Sequence, residues 1–238
     1  TVKRKIAAIK SFYQYLIYKE YLEHSPFEKL QVHLRQERLL PRTIDNYTLS
    51  RIFSAAYSDL RESQSNNHYF VSMRDVAVEL LFATGVRVSE LCSITCENLN
   101  LQNQVVLIKG KGSKERCIYI SSPPVISALA SYSALRTTID SPDPYFFLNR
   151  DKHRLSEQSV RRIICRYTPT DAAHYTPHMF RHSFATYLWE QCGNIYEVKE
   201  ILGHSSVKTT ERYVHASFEQ QKRILTTMHP RNTLKIEF

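Results

Sequence analysis

The 238 residues carry a net charge of +9, with 42% hydrophobic and 23% charged residues. That balance fits a globular protein with one sizeable core, or one domain plus part of another, and the excess charge points to a polyanionic partner. The longest uncharged stretch, 117–135, contains Pro123, Pro124 and several serines, which excludes a membrane span. Basic residues cluster in 2–10 with no apolar run after them, so no secretory signal is read there. The five cysteines form no CxxC pair, and Cys92 and Cys96 lack two further ligands nearby, which argues against zinc. Reduced, mostly buried thiols in a cytoplasmic protein are the expectation. The chain starts on Thr1 inside a predicted helix, as a fragment of a longer protein would.

In chain order, Val2–Tyr21 predicts an amphipathic helix, with Ile6, Ile9, Phe12, Tyr13, Leu16 and Ile17 at helical spacing and Ser25-Pro26 as its end. Residues 31–42 are polar and basic and read as a linker. Ser50–Ala56 predicts a short helix, 66–68 a loop, and Met73–Ala83 a buried apolar helix stopped by Gly85. Val88–Ile94 is helical again. Val105–Ile108 and Arg116–Ile120 predict a hairpin around the basic turn 109–114. Ser156 caps a helix that runs to Tyr167. Pro177 opens another, with Gly193 just past its end. Ile195–Leu202 closes at Gly203, and 207–214 and 217–228 are predicted helical. The fold class is therefore mainly α with one small antiparallel sheet.

The last third of the chain holds HMFRHSFAT and LGHSSVKTTERYVH. His178 and Arg181 stand at i and i+3, on one helical face, with His178 in a first turn where free N–H groups favour an anion. His204 follows Gly203, and Tyr213 comes nine residues after it. Upstream, Arg87 in ATGVRVSEL has Glu90 three residues on to orient it, and Lys111 sits in the hairpin turn with Lys109 and Lys114 competing for its role. Singly, each has a plain structural explanation: a surface ion pair, a solvated lysine, a helix-terminal histidine, one of 15 tyrosines. Together they supply a phenol nucleophile, imidazoles to handle its proton and guanidiniums to bind a phosphate.

These stretches resemble the tyrosine recombinases, the phage integrase and Xer-type family. The family's Arg–Lys–His–Arg–His–Tyr set falls on Arg87, Lys111, His178, Arg181, His204 and Tyr213. The resemblance implies a catalytic domain over 43–215. Residues 1–30 would be the last part of a helical core-binding domain, 31–42 the linker, and 216–238 a C-terminal helix and tail. In the family that helix often docks into a neighbouring protomer; packing in cis is the alternative.

By resemblance, Tyr213 attacks a DNA phosphate, giving a 3′-phosphotyrosyl link and a free 5′-hydroxyl. Arg87, Arg181 and His204 would bind the non-bridging oxygens, Lys111 would protonate the leaving oxygen and His178 would assist the phenol. No ATP, metal or other cofactor is implied. The implied partners are double-stranded recombination sites, a homo-tetramer on DNA joined through a Holliday junction, and accessory DNA-bending or directionality proteins, with no membrane. The setting would be bacterial cytoplasm, on the nucleoid when DNA-bound. A type IB topoisomerase would share the chemistry, and a silent DNA-binding regulator would share the fold. Neither would need this full set in this spacing together with a helical N-terminal domain.

Overall fold

The computed structural model describes residues 2–28, 43–63, 68–110, 115–192, 194–203 and 222–236. The linker 31–42, the turn 111–114 and the predicted helix 207–214 lie outside them, as do Lys111, His204 and Tyr213. The chain divides into two units, Thr1–Leu40 and Pro41–Phe238.

In the first unit, helix α1 spans Val2–Tyr18. It ends earlier than Ser25-Pro26 would place it. Glu20 takes a left-handed conformation (φ 61°). The amide of Tyr21 then bonds back to Leu16 O and that of Glu20 to Ile17 O, both at 2.9 Å. This closes the last turn without a glycine. Phe12, Tyr15 and Tyr18 on this helix remain exposed.

The second unit opens with α2 (Asn46–Ser63), α3 (Tyr69–Ala77), α4 (Leu80–Thr84) and α5 (Val88–Leu91). Asp45 starts α2 well before the predicted Ser50: its carboxylate takes the backbone N–H and the hydroxyl of Thr48, each at 2.8 Å. The single helix expected over Met73–Ala83 is two. The amides of Glu79, Leu81 and Phe82 each reach back three residues, which tightens the backbone at Val78-Glu79. The second helix expected, Val88–Ile94, stops at Leu91.

The sheet has three antiparallel strands in sequence order, β1 (Leu99–Asn100), β2 (Val105–Lys109) and β3 (Glu115–Tyr119). Ile108 pairs with Arg116 and Val106 with Ile118. Next come α6 (Pro123–Thr137), α7 (Glu157–Tyr167), α8 (Pro177–Cys192) and α9 (Ile195–Leu202). Helix α6 was not expected from sequence. Its buried comb is Val125, Ala128, Leu129, Tyr132 and Arg136. That comb includes an alanine and an arginine, which hydropathy does not read as core. Arg136 is buried because its guanidinium caps the carbonyls of Ile139, Asp143 and Tyr145.

The core is aromatic where it supports the site. Phe53 of α2, Phe82 of α4 and Phe180 of α8 meet at ring-centroid distances of 5.7–6.5 Å. Phe184, one turn further along α8, meets Phe82 at 6.3 Å. Residues 222–228 are helical, and Ile224 and Leu225 join the same core. The segment after them is pinned to α4: Arg231 pairs with the buried Glu79, which also accepts from Tyr57 at 3.0 Å, and His229 Nε2 lies 2.6 Å from Ala83 O. All five cysteines are free, but only Cys92 is buried. The expectation of mostly buried thiols therefore fails: Cys117 lies on the outward side of β3 and Cys165 on the solvent face of α7. None of the described helices is long and apolar enough to cross a membrane.

Gly85 links this core to the site. It ends α4 at φ 61°, and a Cβ there would lie 2.5 Å from Phe184 Cδ1 and 2.8 Å from Leu202 Cδ2. Gly85→Ala is expected to lower stability by about 2–4 kcal/mol, from left-handed strain and overpacking together. Urea denaturation followed by circular dichroism measures it.

Candidate active site

The left-handed turn at Gly85 hands the chain to Arg87, the N-cap of α5, in an extended conformation (φ −71°, ψ 150°). Glu90, in the first turn of that helix, folds back. Its Oε2 accepts from the Arg87 backbone N–H and its Oε1 from the Arg87 guanidinium, both at 2.8 Å. This is more than the surface pair that the i, i+3 spacing alone suggests, because the Glu90 side chain is only 6% exposed. A second guanidinium reaches the same carboxylate. Arg116 of β3 donates from both terminal nitrogens, at 3.1 and 2.8 Å. Burial by itself would raise the Glu90 pKa, but the hydrogen bonds from Arg116 and Arg87 outweigh it and hold the carboxyl at about 2.

Arg181 comes from the buried side of α8. Its terminal nitrogens donate to Gly85 O at 2.5 Å and to Leu202 O at 2.8 Å. Those carbonyls lie at the C-terminal ends of α4 and α9, where backbone acceptors are left over. The guanidinium is thus tethered between three helices while keeping further N–H donors. Burial, and then the positive charge of Arg87, lower its pKa to about 10, with Arg116 adding to the repulsion and Glu90 opposing it. It remains a cation at neutral pH. His178 lies in the first turn of α8 and is exposed, one turn before Arg181.

Of the six residues picked from sequence, the structure therefore brings Arg87 and Arg181 into one electrostatic cluster and puts His178 on the helix that carries Arg181. Lys111 is flanked by the described ends of β2 and β3, and His204 directly follows Gly203. Arg116 was missed as a site residue. A signal for it existed: in a strand of period two, Arg116 falls in register with the inward Ile118 and Ile120. An arginine on a core-facing position needs a buried partner. Among the described residues, no group of three or more His, Cys, Asp or Glu side chains could hold a metal ion.

The family model for the phage integrase family matches residues 42–220. The chain belongs to that family. A tyrosine recombinase of Agathobacter rectalis is 42% identical over 234 residues, covering 97% of this chain and 76% of the relative. Tyrosine recombinase XerC of Bacillus subtilis is 34% identical over 239 residues, covering 97% and 75%. Among solved structures, the XerA recombinase superposes with a TM-score of 0.58 at 26% identity; the match covers 86% of this chain but only 64% of that one. The Tn1549 transposon integrase in complex with transposon right-end DNA gives a TM-score of 0.63 at 19% identity, covering 93% and 79%, a likeness of fold. By family the chain is a site-specific DNA recombinase of the tyrosine type.

Glu90 supplies a test of the cluster. Its folded pKa is depressed from 4.5 to about 2, so its contribution to stability is full above pH 4.5 and is lost as pH falls towards 2. Glu90→Gln should be less stable than the unaltered protein at neutral pH, and the gap should shrink across that window. Urea midpoints of the two proteins at stepped pH measure this; a gap independent of pH would contradict the ion cluster.

Proposed function

We propose that this recombinase cleaves and rejoins DNA by attack of Tyr213 on a phosphodiester, with Arg87, Lys111, His178, Arg181 and His204 as its partners. The observation that carries this reading is the imbalance of charge around Glu90. Three guanidiniums, from Arg87, Arg116 and Arg181, interact there with one described carboxylate, and their mutual repulsion is felt at Arg181. An anion between Arg87 and Arg181 relieves that repulsion. A phosphodiester approaching a pentacovalent transition state gains more from it than the ground state does, because negative charge on its oxygens grows.

The division of labour follows from chemistry. Arg87 is 40% exposed and offers the outward part of its fork to a non-bridging oxygen. Arg181, anchored by two carbonyls, offers a fixed donor rather than a mobile one. His204 would add a hydrogen bond to the same oxygens. A phenol with an ordinary pKa of about 10 is a poor nucleophile at neutral pH, and His178 assists its proton loss. As the P–O5′ bond breaks, Lys111 protonates the departing oxygen, leaving a 3′-phosphotyrosyl link and a 5′-hydroxyl. The phosphodiester energy stays in that link, so rejoining needs no ATP.

In this reading residues 43–215 form the catalytic domain, 31–42 the linker, and 1–30 belong to a DNA-clamping helical domain. Protomers assemble as a tetramer on DNA, through which two duplexes exchange strands by a Holliday junction; Ile224 and Leu225 pack in this chain's own core, which favours cis packing for the helix that carries them. Integration or excision of a mobile element and resolution of chromosome dimers are the processes such exchange serves, on cytoplasmic, nucleoid-held DNA.

The test uses duplexes selected from a random-sequence pool by binding to the protein, then nicked at successive positions to trap the covalent state. A denaturing gel should show a band of protein joined to a 3′-phosphate. Tyr213→Phe should abolish it, with DNA affinity lowered by no more than about tenfold, since a single hydroxyl outside the phosphate clamp contributes about 0.5–1.5 kcal/mol at most. An adduct that survives in Tyr213→Phe would assign the nucleophile to another tyrosine.

A further inference from the structure

Arg116 has no part in the chemistry above, yet its surroundings are among the most constrained of any side chain in the site. It enters from β3 with 18% of its side chain exposed and is held by both oxygens of Glu90. Its Nε is buried and has no hydrogen-bond partner among the described residues. The side chain lies against Gly203, the residue before His204. A Cβ at 203 would come within 2.8 Å of Arg116 Cδ and Nε, and Gly203 itself is left-handed at φ 64°. One side chain thus joins the strand that follows the 111–114 turn to α5 and to the end of α9.

Two roles are open to such an arginine. As a third phosphate clamp it would bring little unpaired charge, because both its terminal nitrogens bond the Glu90 carboxylate, whereas those of Arg181 bond neutral carbonyls. As an anchor it is well placed. The β2–β3 ladder, with Lys109 opposite Glu115, closes the base of the turn but does not tie the hairpin to the site, and the side-chain pair there, Lys109 Nζ to Glu115 Oε1 at 3.9 Å, is between side chains more than half exposed. Such a pair contributes little. A bidentate, largely buried guanidinium–carboxylate pair fixes both distance and orientation.

We propose that Arg116 is a positioning residue: it fixes the base of the 111–114 turn against Glu90 and Arg87 and so sets the reach of Lys111 to the departing 5′-oxygen. The proposal rests on the reading of Lys111 as the acid. In that step the Tyr213 Oη–P bond forms, the P–O5′ bond breaks and the proton passes from Lys111 to O5′. A sulfur at the 5′-bridging position leaves as a thiolate and needs no proton, so it removes the demand on the acid alone.

The experiment compares single-turnover cleavage of two trapping duplexes, one with oxygen and one with sulfur at the bridging position of the mapped cleavage site. A positioned general acid contributes about 10²–10⁴-fold, so Arg116→Met is expected to slow the oxygen substrate by about 10–100-fold and to recover to within about threefold on sulfur. Arg116→Lys keeps the charge but not the fork. It should show a smaller loss with the same recovery, and it carries the test if the Met variant does not fold. Equal slowing on both substrates, or none on oxygen, would overturn the proposal, because misplacement of Arg87 or a general loss of structure affects both alike. Failure of the unaltered protein to form any adduct would instead remove the tyrosine mechanism, and this proposal with it.

Discussion

Glu90 carries the negative charge through which Arg87 and Arg116 are held together. Without it, guanidiniums from α5 and β3 would repel each other inside a largely buried cluster, with Arg181 adding to the repulsion. With it, a four-residue helix far too short to be stable alone is capped by its own glutamate and clamped to the sheet. The arrangement leaves more positive charge than the carboxylate can offset. That surplus is what suits the site to a phosphate.

The hydrophobic core sets the distances within this cluster. Phe82 on α4 packs on Phe180 and Phe184 of α8, which fixes the helix bearing Arg181 against the helix that leads to Arg87. Gly85 allows that approach, because any side chain there would meet Phe184 and Leu202. Arg181 then closes the triangle by bonding to the carbonyls of Gly85 and Leu202. A second buried polar group, Glu79 with Arg231 and Tyr57, holds the chain after residue 228 against α4. Interior packing and site geometry are thus coupled through α4, and a change at its C-terminal end acts on both.

Much of this was legible in the residues. The hairpin around 109–114, the cap at Ser156, the opening of α8 at Pro177 and the close of α9 at Gly203 each rest on a local backbone preference that the structure keeps. Where the reading failed, either a distant partner had replaced a local signal or a turn formed without its usual residue. Helix α6 hid because Arg136 is buried by capping a loop. The break at Val78-Glu79 hid because a buried glutamate finds Arg231, 152 residues away. Helix α1 stopped early on a left-handed glutamate, which no glycine announces.

The sequence by itself determined the chemistry available: an ordered set of arginines, histidines, a lysine and a tyrosine at spacings that the phage integrase family shares, in a basic, mainly helical chain with one hairpin. Chain order and residue type suffice for that, since helix periodicity and turn residues are local properties. Only the tertiary structure decided that Glu90 serves two arginines rather than one, that Arg181 is tethered by two helix ends, and that Arg116 turns inward to lie on Gly203. These depend on where elements far apart in sequence meet, and on how many cations one buried carboxylate can hold, and neither is written in any local stretch of the chain.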